Sequence, residues 1–377
     1  MNFLLMASFA EVMNYVLYVL IAVLVLLVMI TVHELGHYLT GKIFDFAIEE
    51  FAIGFGPKIF KKTKKNGEVF SVRVFPLGGF CSFRGEDKED GDPRAFNNKK
   101  PWQRIIVLVS GALMNYIFAV FIICLMFGIY GTSALMTYEV SGENPSGIIL
   151  TDENSFKNRD VILKANGKDV YIITDLMNAV NGKKLGDTVD FTVIRNGEKR
   201  DMSIVMLADA DLKNVEDVNG LCNVLGIKVE KDEEDNVVSN GFRSTGVRRG
   251  FFTTIGCSFN YSFKLAGTIF TVIGQLFRGE IGIKSLGGTV TTISVTAGVI
   301  KNGGWWSLLN IASFIGVNLA VFNLLPIPAL DGSKAVFTTI EWIRGKPINR
   351  RVEGIIHAVG FVVIILFAIF IDLQQCF

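Results

Sequence analysis

The chain has 377 residues, half of them hydrophobic, with 37 basic against 36 acidic side chains and a net charge of +1. That apolar share and a positive mean hydropathy exclude an ordinary soluble protein of this length. Cys81, Cys124, Cys222, Cys257 and Cys376 form no Cys-x-x-Cys pair, which excludes a zinc ribbon and offers no disulfide framework.

Uncharged runs long enough to cross a bilayer as helices are read at Tyr15–Val32, Ile105–Tyr130, Trp305–Leu330 and Ile355–Ile371. No Lys or Arg precedes the first run, so it is not expected to be a cleaved signal peptide. The run ends at His33-Glu34-Leu35-Gly36-His37, which holds two of the three histidines of the chain. On a helix, positions i and i+4 share a face, so His33 and His37 can offer two imidazoles to one Zn²⁺. Glu34 is then placed to take a proton from water at that ion. Ionisable side chains beside a bilayer are costly and usually functional.

The connection to the second run reads as a small β-element close to the membrane, or as a surface hairpin. Val69–Phe75 alternates like a strand, and Pro76-Leu77-Gly78-Gly79-Phe80 is expected to turn. Lysines crowd this connection (Lys58, Lys61, Lys62, Lys64, Lys65). Their place between two spans argues against a nucleic-acid patch. Basic residues recur after the third span at Lys334, Arg344, Lys346, Arg350 and Arg351. By the positive-inside rule both connections are cytoplasmic and both termini face outward. In the second span Gly111 permits close helix contact, and Asn115 is an amide that needs a partner inside a membrane.

A compact α/β domain is expected at residues 137–210. Its strands fall near Asp160–Gly167 and Asp190–Gly197, an amphipathic stretch lies at Ile173–Val180, and a hairpin turns at Asn196-Gly197. Lys231–Asn236 reads as an acidic, solvated loop. Phe251–Phe277 is long enough to span, but it carries Asn260 and Lys264 and is flanked by arginines. Parity decides its reading: a fifth crossing would put Asp331 on the opposite face from His33 and His37. It is therefore expected as an amphipathic helix on the outer surface. Asp331 follows Pro326 and Pro328, which break the third span. On residues alone Asp331 is either a third metal ligand or an ordinary helix-end residue before Gly332. His357, among apolar residues, reads as a packed residue.

The histidine motif joined with Asn323-Leu-Leu-Pro-Ile-Pro-Ala-Leu-Asp331-Gly332 resembles the site-2 protease family of intramembrane zinc metalloproteases. The likeness is closest to its bacterial branch, which carries an extracytoplasmic PDZ domain and cleaves membrane anti-sigma factors. It extends through Gly54–Pro57, Pro76–Phe80, Gly111–Asn115 and the insert with its Asn166-Gly167. The resemblance implies a polytopic α-helical protein of about four spans, with a membrane-associated β-element and an inserted PDZ-like α/β domain. It divides the chain into residues 1–136 (membrane core), 137–210 (PDZ-like), 211–304 (acidic loop and outer helix) and 305–377 (membrane core). It implies Asp331 as the third zinc ligand, Asn323 beside the substrate, and Gly78, Gly79, Phe80 and Asn115 as further substrate contacts. The implied partners are single-span membrane substrates, the bilayer of a bacterial cell membrane and a site-1 protease acting upstream. The chain departs from the family pattern at Asn158-Arg159-Asp160, where a Gly-Asp turn is typical. No carboxylate-binding loop is visible there, so the insert is expected to filter by size. A transporter would instead show internal repeats, which are not found between the halves. An inactive peptide-binding scaffold would not need Glu34 beside the first histidine.

Overall fold

The computed structural model describes residues 9–86, 90–138, 140, 147–210, 218–228, 230–231, 237–239, 241–279, 282 and 287–376. The expected acidic loop, Lys231–Asn236, lies outside these residues but for Lys231. The chain forms two compact units, Met1–Cys124 with Ser262–Phe377, and Leu125–Tyr261.

In the first unit, helices α1 (Phe9–Ile43) and α2 (Pro101–Tyr130, running past the unit's edge) are built from Leu, Val, Ile and Phe on every face. Such helices are stable where no water competes for the backbone. The described residues contain four helices long and apolar enough to cross a membrane: Val12–Ile43, Pro101–Tyr130, Gly303–Leu324 and Arg351–Gln374. Leu17, Leu20 and Leu24 stand exposed along α1, as lipid-facing side chains do. The first span does not stop at the histidine motif. It runs on to Ile43, because Gly36 and Gly41 are sites of close approach rather than helix ends. A Cβ on Gly36 would lie 2.4 Å from the Ser110 carbonyl oxygen, and one on Gly41 would lie 2.6 Å from the Phe83 ring.

After α1 come β1 (Ile48–Thr63) and β2 (Val69–Phe83), an antiparallel ribbon that doubles back on itself. Glu50 pairs with both Val69 and Ser82, and Phe51 with both Phe70 and Cys81, so the first part of β1 has a neighbour on each side. The turn expected at Pro76–Phe80 is present. Val69–Val72 runs with Glu50–Ile53 and Gly79–Ser82 runs against it, so β2 turns back between them, and Gly78 takes a φ of 145° there that a side chain would resist. Another reversal is at Lys64–Glu68, where Lys64 N–H donates to Glu68 O (2.8 Å). Two carboxylates brace the ribbon. Burial pushes the Glu68 carboxyl up, but hydrogen bonds from Lys42, Lys64, Tyr38 and Asn66 outweigh it and hold it at about 2. Glu50 is likewise held at about 2, burial being outweighed by Ser71, Lys58 and Arg73.

The second unit is built on a sheet ordered β10-β3-β4-β6-β7, with β5 on β4. These strands are β3 (Thr132–Thr137), β4 (Val161–Ala165), β5 (Lys168–Asp169), β6 (Thr188–Arg195), β7 (Glu198–Val205) and β10 (Phe242–Val247). Helix α3 (Ile173–Val180) coincides with the amphipathic stretch read from sequence, and Asn196-Gly197 turns the β6–β7 hairpin with positive φ at both residues. The unit is wider than residues 137–210. Strands β3 and β10 join the sheet, and α4 (Val218–Leu225) adds Leu221 and Leu225 to a core of Phe156, Ile162, Leu176 and Phe191. A short ladder of β8 (Glu230–Lys231) and β9 (Val237–Ser239) lies between α4 and β10. Arg195 and Asp160, both buried, pair at 2.6 Å.

Helix α5 (Phe251–Arg278) is not among the four apolar helices. Within the first unit its Ser262 hydroxyl meets the Tyr116 hydroxyl at 2.7 Å. Helix α6 (Thr289–Leu324) is broken at Gly304, whose φ of 61° and ψ of −147° are not helical. Its apolar first part, Val290–Lys301, was not anticipated from sequence. Leu325–Leu330 then runs without helix, as the two prolines require. A helix unforeseen in the sequence, α7 (Asp331–Arg344), follows, so Asp331 opens a helix rather than ending one. The last helix, α8 (Arg350–Cys376), returns Asp372 to accept from Val290 N–H (3.3 Å) at the start of α6.

Candidate metal centre

His33 and His37 stand one turn apart on α1 and turn the same way. Asp331 meets them from the start of α7. Its Oδ2 lies 2.9 Å from His33 Nε2 and 3.2 Å from His37 Nε2. One ligand atom from each residue lies within 4.8 Å of the others, and both histidines are buried. Two sequence positions separated by 298 residues are thereby joined.

The second helix sets the histidines. His37 Nδ1 donates to the Val107 carbonyl (2.8 Å), which fixes the tautomer and leaves Nε2 free to act as a ligand. The Ser110 hydroxyl donates to the same oxygen (2.6 Å). Gly111 faces the ring edges directly: a Cβ there would lie 2.4 Å from His37 Nε2 and 2.8 Å from His33 Cε1. Sequence reasoning named the close approach at Gly111 but missed Val107, because a backbone carbonyl leaves no mark in residue type.

Glu34 points beside the cluster, into a cavity of about 320 Å³ that the two histidines, Asp331, Asn115 and Asn323 also line. Its carboxylate accepts from the Cys81 backbone N–H of β2. Asn115 is completely buried, and neither its amide nitrogen nor its amide oxygen has a partner. Asn323 occupies the last turn of α6. Phe80 also lines the cavity; Gly78 and Gly79 do not. Gly78 lies under the Phe55 ring, and a Cβ on Gly79 would lie 2.9 Å from Ala52 O and 3.5 Å from Glu34 Cγ. Their smallness lets the strand pass close to Glu34. His357 is away from the cluster, where its Nδ1 accepts from Ala329 N–H (3.1 Å) and steadies the chain ahead of Asp331. Sequence reading also missed Lys334, which lines the cavity one helical turn beyond Asp331; the i, i+3 spacing was the available signal.

The comparisons with known proteins agree with this geometry. The chain is 31% identical over 361 residues to a Fusobacterium nucleatum protein provisionally named a zinc metalloprotease, covering 94% of this chain and 97% of the relative. It is 27% identical to the zinc metalloprotease RasP of Bacillus licheniformis, over 92% of this chain and 96% of the relative. RasP of Geobacillus kaustophilus is 26% identical over 92% and 95%. Residues 21–367 match Peptidase family M50, the site-2 proteases, and the chain belongs to that family.

Proposed function

We propose that the chain is a zinc-dependent protease that cuts single-span membrane proteins within or near their transmembrane segments. The observation that carries this is the meeting of two imidazole nitrogens and one carboxylate oxygen at the edge of a cavity between apolar helices. The donor set suits zinc, which in catalytic sites takes three nitrogen or oxygen ligands from the protein. His33, His37 and Asp331 would hold it. Zinc there supplies a Lewis acid that polarises a carbonyl and makes water acidic near neutral pH.

The side chains do the rest. Glu34 takes a proton from the attacking water and returns it to the leaving nitrogen. Asn115, orphaned within the protein, and Asn323 offer amides to the backbone of an unwound substrate, whose hydrogen bonds have nowhere else to go inside a bilayer. Phe80 and the adjoining Gly78-Gly79 segment, brought close to Glu34, hold that substrate as an added strand. The sheet unit acts as a PDZ-like filter on the outer face, with both termini on that side and the lysine-rich ribbon in the cytoplasm. Substrates then arrive after a first cut by a site-1 protease has removed their bulk.

The test is Glu34→Gln in purified protein, assayed on single-span peptides with parallel metal analysis. Cleavage should fall at least a thousand-fold while about one zinc per chain remains. Asp331→Ala should lose both. Turnover by Glu34→Gln close to that of the parent would remove Glu34 from its role.

A further inference from the structure

Hydrolysis of a peptide bond leaves a carboxylate where there was none, and that charge must leave a cavity between apolar helices. Among the described residues lining the catalytic cavity, Lys334 is the one Lys or Arg. Its ammonium donates to Glu86 (2.7 Å), and the pair is partly exposed, at 35% and 22% of the side chains. Exposed pairs of this kind contribute little, so replacing one carboxylate by another on Lys334 costs little.

Beyond the pair lies a second cavity of about 290 Å³, which shares Glu86, Lys334, Phe96 and Leu108 with the first. Two buried donors there lack a partner. One is Arg104 Nε, whose guanidinium is 2% exposed and engages Glu341 (2.9 Å) through another nitrogen. The other is His357 Nε2, which carries the ring proton because Nδ1 accepts from Ala329. Buried donors without acceptors are rare and costly, and a passing carboxylate meets both.

We propose that Lys334 is a relay for the product carboxylate: the new C-terminus displaces Glu86 on Lys334 and leaves through the second cavity. This rests on the protease reading, and Lys334 acts after bond cleavage, as a product-binding residue. Glu86 is the resting partner that keeps the ammonium from trapping product.

The test uses the full chain in detergent, with a fluorescein-labelled fragment of one single-span substrate made as the C-terminal acid and as the amide. Binding is read by fluorescence anisotropy, independently of cleavage. The acid should bind about ten-fold more tightly than the amide, as one charge-assisted hydrogen bond requires. Lys334→Met should level the two, Lys334→Arg should restore the difference, and Glu86→Gln should widen it. Zinc content serves as the check on folding. An acid preference that survives Lys334→Met would place the carboxylate on the metal and overturn the relay. Equal binding of acid and amide to the parent protein would do the same. Gly354, which lines the second cavity, has open space where a side chain would start. Gly354→Phe should slow dissociation of the acid several-fold, and an unchanged rate would refute the exit route. If the parent protein cleaves no substrate, the protease reading fails instead, whatever the fragments do.

Discussion

Replacing Gly111 by Ala should weaken metal binding at the candidate centre without replacing any of its three side chains. The new methyl would lie 2.4 Å from His37 Nε2 and 2.7 Å from His37 Cε1, about 1 Å inside ordinary contact. α2 can withdraw only by opening its close packing on Gly36 of α1 and carrying off the Val107 carbonyl that anchors His37. Either the ring or its anchor moves, and a shift near 1 Å is several times the roughly 0.2 Å that metal–ligand distances tolerate. Overpacking of this size costs about 1–3 kcal/mol, and a misplaced ligand lowers affinity by at least ten- to a hundred-fold. Gly128→Ala is the control: on the same helix, it meets nothing within 4 Å and should leave the protein as stable or up to about 1 kcal/mol more so. Zinc affinity is measured by competition with a chromogenic chelator, and stability by thermal unfolding in detergent. If Gly111→Ala keeps zinc within two-fold of the parent while Gly128→Ala behaves as stated, the helix crossing does not hold the ligands in place.

The carboxylates of the ribbon make it sensitive to acid. Glu50 and Glu68 are held at about 2 against an ordinary 4.5, so their stabilisation is whole above pH 4.5 and is lost as pH falls toward 2. Amide exchange in residues 48–83 should rise over that window, and Glu68→Gln should remove part of the change. Arg195→Met strands the buried Asp160 carboxylate and should destabilise the sheet unit by about 3–5 kcal/mol, visible as a lowered melting transition. If α5 lies at the outer surface, as its polar residues lead one to expect, a cysteine at Lys264, with Cys257 replaced, reacts with a membrane-impermeant thiol reagent in intact cells. Protection equal to that of a mid-bilayer position would refute that placement.

Much of this molecule was legible because its local signals agree with its environment. The four spans were found from uncharged length alone, and Asn196-Gly197 and Ile173–Val180 from turn and helix patterns. The turn at Pro76–Phe80 was legible from its Pro and Gly pair, whereas the close approach at Gly36 was not, because a missing Cβ there serves a contact with α2 that nothing local marks. The α6 segment before Gly304 and the α7 helix were missed because each adjoins a longer apolar run that dominates the reading. Strands β3 and β10 escaped because both lie beside helices and pair with each other only across more than a hundred residues. The histidine pair was plain. The third member of the cluster gained its place only from resemblance, since nothing local ties Asp331 to α1.

That distance in the chain has a consequence for biogenesis. Closing a contact over 298 residues is a late event, and during synthesis His33 and His37 enter the membrane long before Asp331 leaves the ribosome. A half-built chain therefore presents two imidazoles and the Glu34 carboxylate without the third member of the cluster. On the proposed reading of the site, the chain would then gain its full donor set only after most of its spans had threaded into the bilayer.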